Sequence, residues 1–126
     1  MKPKKNNGNN QVGHNVNMIM PSTTFKGDLK TEADIRFDGK LDGTLQCTQK
    51  VVLGETAVIT GDIKCREADI AGKVKGKIFV EELIILRETA RVEGEITTKK
   101  ISIEPGAIFD GSCKMIFDEQ KDKEQK

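Results

Sequence analysis

The 126-residue chain has no tryptophan, no tyrosine and a single histidine, His14. With five phenylalanines as its only aromatics and 36% apolar residues, it has little material for an ordinary globular core. One histidine in an asparagine-rich stretch excludes any site built on paired histidines and leaves general-base catalysis without a placed base. The three cysteines, Cys47, Cys65 and Cys113, are odd in number and show no CxxC spacing. That excludes a disulfide framework and a zinc ribbon and, with no secretory leader, points to a reducing cytoplasm. No apolar run approaches the ~20 residues of a membrane span. The nearest candidate anchor is the short segment Val16–Met20. There is no Walker loop, no HExxH and no nucleophile elbow, so no nucleotide, metal or other cofactor is expected and the chain is not read as an enzyme.

Charge is plentiful but balanced. Lysine and arginine number 21 against 20 acids, a net +1. A near-neutral body carries no electrostatic footprint for nucleic acid. Lys2, Lys4 and Lys5 make the N-terminal arm basic. A solvated tail is the favoured reading of that arm, and an anionic membrane surface is its alternative partner.

What the chain does have is a glycine repeat. Gly27, Gly43, Gly61, Gly76, Gly94 and Gly111 follow one another at gaps of 16, 18, 15, 18 and 17 residues. Two positions before each stands Phe25, Leu41, Ile59, Val74, Val92 or Phe109. Two positions after stands Leu29, Leu45, Ile63, Ile78, Ile96 or Cys113. A unit this short cannot bury its own apolar side, so the copies must stack.

Within each copy the period is two, as in Ala-Arg-Val-Glu-Gly-Glu-Ile at residues 90–96. That is strand patterning with one dry face and one wet face. A second apolar pair completes each repeat: Ile35/Phe37, Val51/Leu53, Ala68/Ile70, Ile84/Leu86 and Ile101/Ile103, with Leu83/Ile85 an equal choice in the fourth copy. Length varies only in the link after this pair, from Asp38-Gly39 to Glu104-Pro105-Gly106-Ala107. A solenoid tolerates that, because one corner bulges while the strands keep register. The expected fold is therefore all-β, a single parallel β-helix of about six coils, on the order of 30 Å long. Residues 23–117 form it, between a disordered N-terminal arm (1–22) and a charged tail (118–126). The repeating glycine has two readings. It makes room inside a narrow core, the favoured one, or it marks a strained bend.

A β-helix has no side edges, but its two tips leave backbone groups unpaired and core exposed. No amphipathic helix is expected at either tip to cover them. Four of the five phenylalanines lie in the end coils. The expectation is self-association at the tips, with Phe25, Leu29, Ile35 and Phe37 at one end and Phe109, Cys113, Met115 and Phe117 at the other as the polymerisation interface. Cys47 and Cys65, one coil apart, are expected to be stacked inward neighbours with a structural role.

The stretches Ile35-Arg36-Phe37-Asp38-Gly39-Lys40-Leu41-Asp42-Gly43-Thr44-Leu45, residues 52–63 and residues 103–111 resemble bactofilin motifs in order and spacing. The resemblance spans roughly residues 23–117. It implies a right-handed β-helix that assembles without nucleotide into nonpolar bacterial cytoskeletal filaments. It also implies contact with the cytoplasmic membrane through a short N-terminal segment, for which Met18, Ile19 and Met20 are the candidates. Wall-modifying enzymes or envelope proteins are the further partners it implies, and Phe117 looks like the family's assembly phenylalanine. The alternative is a degenerate left-handed, hexapeptide-repeat acyltransferase. Leu53-Gly54-Glu55-Thr56-Ala57-Val58 fits one hexapeptide, but the six-residue register fails at Lys77.

Overall fold

Alternation in the sequence becomes alternation in burial. In Arg91–Ile103, Val92, Ile96 and Thr98 are buried while Arg91, Glu93 and Glu95 face solvent. The structure, a computed structural model, describes residues 16–116. These hold nine strands and no helix: β1 Val16–Ile19, β2 Thr24–Thr31, β3 Asp34–Phe37, β4 Lys40–Cys47, β5 Lys50–Leu53, β6 Val58–Ile70, β7 Lys73–Leu86, β8 Arg91–Ile103 and β9 Ile108–Met115.

Every pairing is parallel, and the pairs form two ladders. The long ladder runs β2, β4, then the first halves of β6, β7 and β8, and ends at β9. The short ladder runs β1, β3, β5 and the second halves of β6, β7 and β8. Successive repeats therefore lie over one another as a β-solenoid of about six turns. Gly27 registers with Gly43, Gly43 with Gly61, Gly76 with Gly94 and Gly94 with Gly111. The core is the inward column of each ladder, from Leu41 and Leu45 through Ile59, Ile78 and Ile96. Each such side chain contributes about 1.5–3 kcal/mol by leaving water. In the fourth copy Ile84 and Leu86 point inward and are fully buried. Leu83 and Ile85 take the outer face.

The glycine belongs to the second of its two readings. All six ladder glycines have positive φ, from +120° at Gly27 to +151° at Gly111. That region is open to glycine and costly for other residues. At the five after Gly27, a side chain would not enter the core but would overlap the glycine carbonyl of the preceding rung. The residue is a bend with close backbone approach.

The ordered part also begins earlier than residue 23. Residues 16–19, expected in the arm, pair with β3 in the register Val16↔Asp34 to Ile19↔Phe37. The link that follows repeats the long links seen later. Thr23 N donates to Met20 O at 3.1 Å, as Ala57 N does to Gly54 O (3.0 Å), Ala90 N to Arg87 O (2.9 Å) and Ala107 N to Glu104 O (3.1 Å). Pro21 takes the place in its turn that Pro105 takes in the last. The remaining arm positions, His14 among them, the tail, and Phe117, expected as the last residue of the solenoid, lie outside the described residues.

One corner is irregular. Between the registered pairs Cys65↔Val80 and Glu67↔Leu83, β6 has one residue and β7 has two, Glu81 and Glu82. The same step in β8 again holds one, Lys99. Thus β7 carries a bulge relative to both neighbours, and Leu83 follows it directly.

The two tips as a candidate assembly site

The N-terminal tip is made by β1 and β2, each paired on one side. Phe25 and Leu29 point inward from β2 and are partly buried against the core. Nothing lies within 4 Å of the place where a Gly27 side chain would begin, whereas every later ladder glycine meets the rung before it. From β1, Ile19 packs on the core. Asn17 Nδ2 donates to Thr31 Oγ1 at 2.8 Å, so a polar pair closes part of this tip. Val16, Met18 and Met20 turn outward and are 48%, 58% and 57% exposed.

β1 changes the standing of two residues expected in the interface. Ile35 and Phe37 are buried beneath it and offer no surface to another copy. Of the candidate membrane residues, Met18 and Met20 are presented to solvent while Ile19 is committed to the first rung.

The C-terminal tip is more apolar. β9 pairs only with β8, and its inward column exposes what the middle rungs hide. Phe109 is partly buried, Cys113 is exposed and Met115 is 37% exposed. Cys113 Sγ lies 3.9 Å from Met115 Sδ. The last short rung adds Ile101, partly buried, and Ile103, 49% exposed; Ile108, 53% exposed, opens β9 on its outward face in register with Arg91. The ladder continues past β9 through Ile116 N, which donates to Thr98 O at 2.7 Å. Phe117, the remaining expected interface residue, lies outside the described residues.

The structure thus brings Phe25 and Leu29 together at one end and Phe109, Cys113 and Met115 at the other. Sequence reasoning missed Asn17, Ile19 and Ile103 as tip residues. Stepping back 18 residues from Ile35 and Phe37 reaches Asn17 and Ile19, and the polar first member hid that copy.

Elsewhere the titratable groups serve the stack. Cys47 and Cys65 occupy one inward column, as expected, and both are buried. Burial pushes the Cys65 thiol well above its ordinary range, and the neighbouring Cys47, Glu81 and Glu67 push the same way. Burial also raises Cys47, against a lowering hydrogen bond from Gln49 N at 3.4 Å. A neutral, buried thiol is a packing residue rather than a nucleophile. Arg87 joins three rungs. Its Nε and Nη2 donate to Asp69 at 2.9 and 2.6 Å, and its Nη1 to Glu104 at 2.8 Å. Those bonds, Asp69 first, hold the guanidinium pKa above its ordinary value. Among the described residues, no group of three or more His, Cys, Asp or Glu is placed to hold a metal ion. No helix there is long and apolar enough to cross a membrane.

A closed stack of parallel rungs with a solvated wall and apolar tips defines a β-solenoid whose distinctive surfaces are its ends. The bactofilin family, described as polymer-forming cytoskeletal, matches residues 17–114. The chain belongs to that family; the match begins inside β1 and covers nearly all the described residues. No curated protein and no solved structure matches it.

Proposed function

We propose that this chain is a scaffold that polymerises end to end, without nucleotide, into filaments supporting cell shape or envelope organisation. The observation that carries the reading is the contrast along one inward column. Ile78 and Ile96 are 1% and 0% exposed, while Cys113, next in line, is open to solvent. The core does not end; it stops uncovered. A second copy on that tip buries Phe109, Met115, Ile101 and Ile103 and pairs the free edges of β8 and β9. At about 1.5–3 kcal/mol per large apolar side chain, four such groups from each copy match an association cost of about 4–15 kcal/mol. A tip covered only by its own side chains leaves the strand edges unpaired. The end-on contact uses the folded rungs themselves, so it draws on no nucleotide.

Peripheral contact with the inner face of the cytoplasmic membrane belongs to the same reading. Its support is the outward stripe Val16, Met18 and Met20, preceded in sequence by Lys2, Lys4 and Lys5. Wall-modifying enzymes or envelope proteins are the partners such a scaffold would hold in place.

The test is electron microscopy and sedimentation of the full chain in nucleotide-free buffer. Filaments are expected from the wild type. Phe109→Arg and Phe117→Arg are expected to give short soluble species that keep their β circular dichroism. A wild-type chain that stays monomeric at tens of micromolar (the order set by these apolar tips) overturns the proposal.

A further inference from the structure

Apart from β1 at the tip, which turns out Val16 and Met18, four short rungs show solvent a polar or charged outward residue: β3 Arg36, β5 Lys50, β6 Asp69 and β8 Lys100. The rung from β7 does not. Leu83-Ile84-Ile85-Leu86 is apolar throughout. Ile84 and Leu86 fill the core and are fully buried. Leu83 and Ile85 therefore lie on the outer wall, where they are partly exposed. A strand apolar on both faces is characteristic of one covered on both. The bulge at Glu81-Glu82 stands at the corner of this rung. Bulges re-aim the side chains beside them and concentrate at working surfaces.

The rows above and below say what covers it. Leu83 registers with Glu67 on one side and with Lys100 on the other. The flank thus reads acid, apolar, base along the rod axis. A two-fold axis lying along the β7 rung sets Leu83 and Ile85 against their own copies. It also sets each Glu67 against the Lys100 of the other molecule, twice. Arg87, at the edge of the patch, meets its copy already held between Asp69 and Glu104. The surface is complementary to itself, and only in the antiparallel sense.

We infer that filaments of this chain pair side by side, with the facing subunits antiparallel, through the flank centred on Leu83 and Ile85. The inference rests on the end-to-end reading above. One such contact is small and does not hold two monomers together. Along a filament the patch recurs in every subunit, and many weak contacts add as avidity. The occupant is thus a second filament of the same chain.

The experiment compares four full-length proteins by negative-stain electron microscopy: wild type, Glu67→Lys, Lys100→Glu and the double exchange. Glu67 and Lys100 are two rungs apart and do not face each other within one chain, but Glu67 registers with Lys50 of its own chain, so Lys100→Glu is the single exchange that acts across the pairing axis alone. Wild-type filaments are expected to be paired. Each single exchange sets like charges opposite one another and is expected to reduce paired filaments by about tenfold. The double exchange is expected to restore pairing to within about twofold of wild type. Single wild-type filaments, or pairing unchanged by either single exchange, overturn this inference and leave end-to-end assembly standing. Absence of any polymer overturns the end-to-end reading and this inference with it.

Discussion

The carbonyl oxygen of Gly27 sits where a side chain on Gly43 would begin. The contact recurs at each step to Gly111, whose Cβ would overlap the carbonyl of Gly94. Backbone touches backbone along this line, and each glycine holds a positive φ while it does so. Gly76→Ala, in the middle of the rod at φ +143°, meets both penalties. It is expected to cost about 3 kcal/mol or more, read as a shift in the urea midpoint. Gly27→Ala, at φ +120° with open space before it, meets the backbone penalty alone, about 1–2 kcal/mol. Its larger effect is expected in assembly, because an added methyl projects from the tip where a second copy would seat. Gly27→Ala that polymerises as well as wild type would argue against use of that tip.

The same glycine shows what the sequence could and could not reveal. Its spacing exposed the solenoid, since side chains that stack must recur at coil length, and Ile59, Val74 and Val92 do. Spacing carries no dihedral angle, so room inside and a bend between rungs looked alike. The opening rung was hidden for a related reason. Asn17 stands where later copies have Ile35 or Val51, and its polarity is explained only by Thr31, reached across 14 residues. The boundary expected at residue 22 leaves Pro21 outside the fold. In the structure it is a turn residue inside it, equivalent to Pro105. The tips were legible as the places where an apolar column runs out. Which tip residues are covered depended on β1, so Ile35 and Phe37 could not be told from Phe25 by pattern.

Cys113 supplies a native thiol reporter for the C-terminal tip. It is exposed, whereas Cys47 and Cys65 are buried. A maleimide added to dilute, unassembled protein is expected to modify one thiol per chain, identified as Cys113 by mass spectrometry. In pre-formed filaments that thiol is expected to react at least ~10-fold more slowly, because another copy excludes the reagent. Equal rates in the two states would remove Cys113 from the junction.

Arg87 ties β6, β7 and β8 at the long link, with Asp69 on one side and Glu104 on the other. Arg87→Lys keeps the charge but loses the two-pronged bond to Asp69. The variant is expected to melt below wild type at low salt. Its side chain is substantially exposed, so screening should narrow the gap as salt rises. A gap independent of salt would mean that packing, not charge, is what Arg87 supplies.

The buried thiols give stability a dependence on alkaline pH. An unfolded cysteine titrates near its ordinary value of 9.0, while burial raises Cys65 in the folded chain. Below about pH 9 both states keep the proton, and the contribution of the neutral buried thiol to stability is fully present. Above it the unfolded chain releases its proton and the folded chain does not. Unfolding is then favoured progressively, by up to about 1.4 kcal/mol per pH unit for one thiol. Cys47 is raised as well and adds in the same direction. Lysines also titrate in this range, so the informative quantity is the difference between wild type and Cys65→Val. Urea unfolding at neutral pH and at about pH 10 is expected to show wild type losing more stability than Cys65→Val on going alkaline. Valine already occupies this column at Val80, so the substitution suits the site. Equal losses in the two proteins would mean that Cys65 ionises as readily folded as unfolded, and that water reaches the column where Cys47 and Cys65 stack.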